Sequence, residues 1–359
     1  MLCDRKMGYA FGYILFLFTG VFMNNRIDKP FKTIDQQISI LQSRNLLFHN
    51  KETAAKNLER YGYYEIINGY KDNFMIDPSD DKKGFKDNVS FDHIYQLFNV
   101  DQQLRAGTIE ALEYFEANLR QVVAYTVSKN ISCDQNIYIN RRNYSHGRRF
   151  RHPNEYQYPV DKLMHTLRKI TERNDQPFKH YRNDHGNVPP WIVVKRLSLG
   201  NLIWWTKLLK NTEKAEVISK MCGLPIEIVQ NNEELREIFG DFLSLLLDYR
   251  NTAAHGGRIY NHYSEKHKLP YRGSLYSRYF KVTQEEYSLG KGQSRLGVLL
   301  KGLNLFENKE AYITLLVNIE LALKDYLKLY PQDKQYLLQT MEIDESILSA
   351  DCKIKLNTL

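Results

Sequence analysis

Apolar residues recur at three- and four-residue steps over one long segment, from Phe91 to Ser128. This spacing places them in a single stripe along an α-helix, so we predict one long core helix. Asp101, Arg105, Glu116 and Arg120 are its polar side chains of interest. The stripe consists of Ile94, Leu97, Phe98, Leu104, Ile109, Leu112, Phe115, Leu119 and Val122.

The other patterns are also mostly helical. Thr33 and Gln36 have the spacing of a capping box, and a second short helix is predicted over 52–60. A helix from about Asn232 is predicted to end at Gly256 and Gly257, which can take positive φ. Further amphipathic stretches follow near 291–305, 309–329 and 333–348. Because no segment alternates cleanly between apolar and polar residues as a strand would, the predicted fold is all-α, with at most a short hairpin.

The regions between these helices lead to more local predictions. The glycines of segment 61–70 imply turns, and 260–290 has the character of a polar, Tyr-rich loop. Segment 188–205 begins with a proline pair typical of a helix entry. Its predicted core residues are Trp191, Leu197, Leu199 and Trp204.

The chain is basic, with a formal net charge of +8 and a pI of about 9.0. A basic surface favours an anionic partner, most commonly nucleic acid. The four cysteines lie far apart and form no C-x-x-C pair. This pattern argues against a zinc site and a disulfide framework and suits a reducing cytosol, so we predict a cytoplasmic protein with no metal or cofactor.

The N-terminal run 8–23 is apolar and uncharged. It is short for a membrane-spanning helix, and it lacks a convincing signal-peptide cleavage site. Translation that really begins at Met23 would also explain it. A mis-set start, an anchor and a signal therefore stay open, and membrane association is expected only if 8–23 is retained.

Segment 141–152 is basic and contains no acid. Tyr144 and Phe150 are interleaved with its cations, which is typical of a loop that holds phosphates and stacks on bases. We predict RNA contact here, although a solvated surface loop has the same composition. The predicted contacts are Arg141, Arg142, Arg148, Arg149 and Arg151.

The segment 250–261 brings several polar groups to the end of an apolar helix. Histidine can exchange protons near neutral pH, and the fork of arginine suits phosphate oxygens. His255 and Arg250 could therefore cleave RNA without metal, His255 as general base or acid and Arg250 at the phosphate. Asn251 would orient His255 or the phosphate, and Arg258 would assist binding. The plainer alternative is that Arg250 and His255 only cap the helix C-terminus.

Five positions separate Arg250 from His255. On a regular helix they point about 140° apart, so they do not share a face. We therefore expect a distorted helix end, or a site that combines two subunits.

Several blocks, in order, resemble the Abi (abortive infection, AbiD/AbiF-like) family between about Lys29 and Asn261. They include D-x-x-LR from Asp101, E-x-x-LR from Glu116, and the final RNTAAHGGRIYN. The other blocks are KPFKTIDQQISILQSRNLL (29–47), YGYYEIINGY (61–70) and PFKHYRNDHGNVPPWIVVKRLSLGNL (177–202). The sequence departs from the family pattern at Asn45, Lys195, Ala253 and Gly256.

The resemblance implies an all-helical HEPN-type bundle, with added N- and C-terminal helices, that dimerises about its R-x4-H helices. It also implies phage defence by a metal-independent ribonuclease that leaves a cyclic phosphate and a 5′-hydroxyl. A small non-coding RNA partner is implied as well, with 141–152 as its candidate contact.

Three regions are predicted: the apolar segment 1–23, an Abi/HEPN-like domain over 24–261, and a helical extension over 262–359 that packs on it. Glu116 and Arg120 are predicted to support the site, although a surface salt bridge between them fits the sequence equally well. The alternative function is a non-catalytic RNA-binding or antitoxin-like module.

Overall fold

A computed structural model describes residues 30–152 and 155–349. The N-terminal segment 8–23 lies outside these ranges. In the described ranges the chain is helical, without a β-strand, and the only extended pairings are isolated bridges such as Met75 with Phe85. The all-α prediction is therefore confirmed. Over the same ranges, no helix combines the length and apolar character needed to cross a membrane.

The helices are numbered in chain order. They are α1 (Ile34–Ser43), α2 (Lys51–Tyr61), α3 (Phe91–Asn130), α4 (Gln135–Tyr138), α5 (Pro159–Thr171), α6 (Phe178–Asp184), α7 (Pro190–Val193), α8 (Leu199–Leu208), α9 (Asn211–Cys222), α10 (Ile226–Gln230), α11 (Glu233–Ala254), α12 (Gly273–Leu275), α13 (Gln284–Ser288), α14 (Leu296–Leu303), α15 (Glu310–Leu329), α16 (Lys334–Met341) and α17 (Ser346–Ser349). Two π-helical turns, Tyr64–Asn68 and Tyr276–Phe280, lie between them.

Local signals explain where the main helices begin. Thr33 and Gln36 form the predicted capping box of α1. Ser90 caps α3 through a hydrogen bond from the His93 backbone N–H, and Asn232 caps α11 in the same way. Each cap satisfies a backbone donor that has no partner within its own helix.

Helix α3 is the central element of the bundle. Its apolar stripe is mostly buried, as predicted, and α15, α11 and α9 pack against it. Helix α15 runs antiparallel to α3, since Ala311 lies near Phe115 while Asp333, just beyond α15, pairs with His93. The two backbones approach closely where Gly107 faces Asn318.

Helix α8 runs antiparallel to α11. Gly200 faces Leu247, whereas Lys207, near the other end of α8, reaches Gly240 and Ser244. Helix α11 therefore packs against both helices. Its C-terminal end contacts α3, and its N-terminal half contacts the end of α8.

Several local predictions were wrong. Trp191 and Trp204 are 42% and 45% exposed, and the neighbouring Trp205 is the tryptophan in the core. Leu197 and Leu199 are buried as predicted. Within 61–70, Gly62 has positive φ but Gly69 continues a helical backbone. The predicted loop 260–290 contains α12, a π-turn and α13, and it buries Tyr260 and Tyr276.

Candidate active site at the end of α11

The segment from Arg250 to Gly257 ends α11 in a specific way. Helix α11 stays regular through Ala254, and His255 is its C-cap. Gly256 follows with φ +78°, and the Gly257 N–H donates to the Thr252 carbonyl at 2.8 Å. This is the Schellman arrangement, in which a left-handed residue closes the helix. The positive φ predicted for Gly256 is confirmed, whereas Gly257 does not adopt it.

The polar groups at this end differ in exposure. Asn251 and His255 are exposed, and Arg250 is half-buried. The Arg250 Nη1 donates to Asn251 Oδ1 at 3.4 Å.

The helix is not distorted between Arg250 and Ala254, and the chain leaves helical geometry only at His255. A site shared between two subunits stays a prediction.

Glu116 of α3 lies within electrostatic reach of Arg250. Burial raises the pKa of this carboxyl, and the charges of Arg120 and Arg250 oppose that effect. Arg120 donates to Glu116 and also to the Leu197 carbonyl at 2.9 Å. With Glu116 only 9% exposed, the pair is not the solvated surface salt bridge that its i,i+4 spacing also suggested. The negative charge of Glu116 attracts the Arg250 guanidinium without a direct ion pair between them.

Asp101 of α3 fixes the loop that follows His255. Its side chain is fully buried and accepts hydrogen bonds from the backbone N–H groups of Ile259 at 2.9 Å and Tyr260 at 2.7 Å. The other carboxyl oxygen accepts from the Tyr70 hydroxyl at 2.7 Å. Burial raises the pKa of Asp101, while these three bonds and the charge of Arg105 act in the opposite direction.

Arg105 lies one helical turn beyond Asp101 and reaches the helix end. A Cβ atom placed on Gly256 would lie 3.4 Å from Arg105 Nη1. Arg105 is half-exposed and forms no ion pair within 4 Å with a carboxylate of the described residues. The guanidinium therefore lies beside Gly256, the residue after His255, where a side chain at position 256 would compete for space.

Arg258, predicted to assist RNA binding, has a local contact. It is exposed, and its Nη1 donates to the Gly69 carbonyl. The bond joins the loop after α11 to segment 61–70, where Tyr70 also stacks on Tyr260 with ring centroids 5.5 Å apart. At least one N–H group of the Arg258 guanidinium is thus hydrogen-bonded within the chain.

The basic segment 141–152 lies away from Arg250. Its backbone joins the end of α8, with the Ser145 N–H donating to the Leu208 carbonyl at 2.8 Å. Since that end of α8 faces Gly240, roughly 15 Å of helix rise separates it from Arg250 along α11. The structure does not bring the two predicted RNA-contacting regions together.

Within the basic segment, the predicted residues differ in availability. Tyr144 is 3% exposed and donates its hydroxyl to the Tyr138 carbonyl, so its predicted stacking on bases is wrong. Phe150 is half-buried. Arg141 pairs with Asp161 at 3.2 Å. The remaining predicted contacts are exposed and pair with no carboxylate of the described chain: Arg142, Arg148, Arg149 and Arg151.

Sequence reasoning did not assign roles to Asp101, Arg105 and Tyr70. The D-x-x-LR spacing singled out the first two without showing what they contact. Across residues 30–152 and 155–349, no cluster of three or more His, Cys, Asp or Glu residues has the arrangement needed to hold a metal ion.

Comparison with known proteins gave one match. The model of the family described as Abi-like protein matches residues 56–261, which is more than half of the chain. The match contains Asp101, Arg105, Glu116 and the whole of 250–261. No curated protein and no solved structure matches.

Proposed function

Because this chain belongs to the Abi-like protein family, we propose that it is a phage-defence endoribonuclease of the HEPN type that cuts RNA without metal. The carrying observation is the end of α11, which presents Asn251 and His255 to solvent while the neighbouring Arg250 lies within electrostatic range of buried Glu116. A general acid or base beside a fixed cation is what phosphodiester cleavage through the 2′-hydroxyl requires.

The proposed reaction has one bond made and one broken. The 2′-oxygen loses its proton and attacks the adjacent phosphorus, and the bond from phosphorus to the 5′-oxygen breaks as that oxygen gains a proton. The products are a 2′,3′-cyclic phosphate and a 5′-hydroxyl. His255 serves as base or acid, and Arg250 stabilises the charge that builds on the phosphate oxygens.

The other groups act around this centre. Asn251 orients Arg250, with which it shares a hydrogen bond, and Glu116 with Arg120 restrains Arg250 from the α3 side. Arg105 supplies a second cation next to Gly256. Arg258 positions the loop through Gly69, in addition to the RNA-binding role proposed from the sequence.

Two partners belong to this proposal. A second copy of the chain would contribute its own His255, so that one histidine could act as base and the other as acid. An RNA, either substrate or small non-coding partner, would contact the exposed arginines 142, 148, 149 and 151, which the described structure leaves without carboxylate partners.

The reaction is tested by incubating purified protein with a labelled RNA in the presence of excess EDTA. We expect unchanged cleavage and products that end in a 2′,3′-cyclic phosphate. A matched substrate with 2′-deoxy sugars should stay intact, because it lacks the attacking hydroxyl. Strict dependence on added metal, or cleavage of the deoxy substrate, would contradict the mechanism. Binding of intact RNA without cleavage would favour the non-catalytic module.

Arg105→Ala is expected to lower kcat/KM for RNA cleavage by about 10- to 100-fold, the effect of losing one charge-assisted hydrogen bond to phosphate. Arg105→Lys should recover part of this loss, since it keeps the charge without the planar fork. Steady-state kinetics and a thermal melt of each variant provide the measurement.

Arg168→Ala is the matched control, because Arg168 is an exposed arginine on α5. It should cleave as the unaltered protein does. Equal activity of Arg105→Ala and the control, with equal melting temperatures, would remove Arg105 from the site.

A further inference from the structure

A cavity lined by charged side chains lies between α8, α9 and the N-terminal half of α11, and we name it the α8–α9–α11 cleft. Its volume is about 580 Å³, within the range typical of small-molecule sites. It does not overlap the site at Arg250, which lies towards the other end of α11. Its charged lining consists of Lys207, Lys214, Glu233, Arg236, Glu237, Asp241 and Arg272.

The charges in this cleft do not balance locally. Arg272 pairs with Glu237 at 2.9 Å and with Asp241 at 3.6 Å. Two of the three acids are therefore already ion-paired with this one cation. Glu233 lies in the first turn of α11, where it complements the helix dipole. None of these acids forms an ion pair with Lys207, Lys214 or Arg236.

Among the described residues, none of these three cations forms an ion pair within 4 Å, and the hydrogen bonds of Lys207 and Arg236 go to neutral groups. Lys207 donates to the Ser244 hydroxyl at 2.5 Å. Arg236 donates through Nη1 to the carbonyls of Val229 at 2.8 Å and Gln230 at 2.6 Å. Lys214 has no carboxylate within ion-pairing distance in the described chain.

The cations also repel one another. Burial lowers the pKa of Lys207, the charge of Asp241 acts in the opposite direction, and the charge of Lys214 lowers the pKa further. Burial likewise lowers the pKa of Lys214, with Arg236 acting in the same direction. A half-buried cluster of like charges costs folding energy, and a bound anion would offset that cost.

We propose that the α8–α9–α11 cleft binds a small ligand that carries a pyrophosphate group, with its oxygens on Lys207, Lys214 and Arg236. A diphosphate concentrates several negative charges over a short distance, as this cluster of three cations requires. The cleft is larger than inorganic pyrophosphate alone, so it leaves room for an attached group such as a nucleoside. This assignment does not depend on the RNA-cleavage proposal.

The test uses the full-length protein in EDTA and measures its melting temperature against inorganic pyrophosphate, ATP and inorganic sulfate. We expect saturable stabilisation by pyrophosphate, about 3–4 °C at roughly one hundred times Kd. Stabilisation by ATP at lower concentration would identify a nucleotide, whereas an equal effect of ATP would identify pyrophosphate alone as the recognised group. An equal effect of sulfate at the same concentration would overturn the proposal.

Lys214→Gln should abolish the pyrophosphate shift without lowering the melting temperature of the ligand-free protein, because it removes a repelling charge. Two variants should keep the shift: Lys220→Gln, an exposed lysine of the same helix, and the double variant Arg148→Gln, Arg149→Gln in the basic segment. A full shift in Lys214→Gln, or its loss only in the double variant, would overturn the assignment. So would an equal, Lys214-dependent shift from a 2′-O-methyl RNA with a 5′-hydroxyl.

Discussion

We expect His255→Ala and Arg250→Ala each to abolish the growth arrest that the unaltered chain causes in bacteria, and each to leave total RNA intact. Loss of the histidine should lower the cleavage rate by about 10²- to 10⁴-fold, the usual contribution of a general acid or base. Loss of the arginine should cost about 10²- to 10³-fold, because the charge on the phosphate is no longer stabilised. Growth curves and RNA electrophoresis provide the measurement.

His49→Ala is the matched control for His255, since His49 is an exposed histidine far along the chain from α11. It should be as toxic as the unaltered protein. Arg250→Lys shows whether position 250 requires the planar guanidinium or only a charge. If the unaltered chain, His255→Ala and Arg250→Ala prove equally toxic or equally harmless, with identical RNA profiles, then the end of α11 is not an active site.

Asp101→Ala should have the largest effect on stability. The substitution leaves the buried N–H groups of Ile259 and Tyr260 and the Tyr70 hydroxyl without their acceptor. We expect the free energy of unfolding to fall by about 3–5 kcal/mol, which urea denaturation will measure. Asp101→Asn should cost about 1–2 kcal/mol, because its amide oxygen can still accept the two backbone bonds.

Glu113→Ala is the control on the same helix. Glu113 is exposed, and the change should stay within about 0.5 kcal/mol. If Asp101→Ala unfolds at the same urea concentration as this control, the carboxylate does not anchor the loop. If Asp101→Asn is stable but cleaves RNA more slowly, Asp101 also acts by positioning the segment that carries His255.

Periodicity was sufficient to predict the main helices, because burial of one face leaves a repeating signal in the sequence. The apolar stripe of α3 and the inward face of α11 are examples. The cap at Thr33 was equally readable, since a cap depends on only a few neighbouring residues.

Predictions failed where burial depends on distant elements. Trp204 and Trp205 are adjacent and equally apolar, yet only Trp205 is in the core, where its indole N–H donates to the Tyr144 hydroxyl at 3.2 Å. That bond crosses 61 residues of sequence. The same contact buries Tyr144, whose basic neighbours suggested a ring exposed to RNA.

The candidate site was predicted only in part for the same reason. The segment 250–261 can be recognised in the sequence from the types of residue it contains. Its partners on α3 do not, because local spacing cannot show that Asp101 accepts from Ile259 or that Arg105 reaches Gly256. Only the folded contact between α3 and α11 gives those residues a role.

The bond from Ile259 to Asp101 spans 158 residues. During synthesis, the ribosome releases Asp101 long before Ile259 exists, so the loop that follows His255 has no anchor until about three quarters of the chain has been made. Contacts so distant in sequence form late, since the intervening chain must first be ordered. A nascent or truncated chain that ends before Ile259 therefore cannot anchor the loop that follows His255, and the candidate site is completed only late in synthesis.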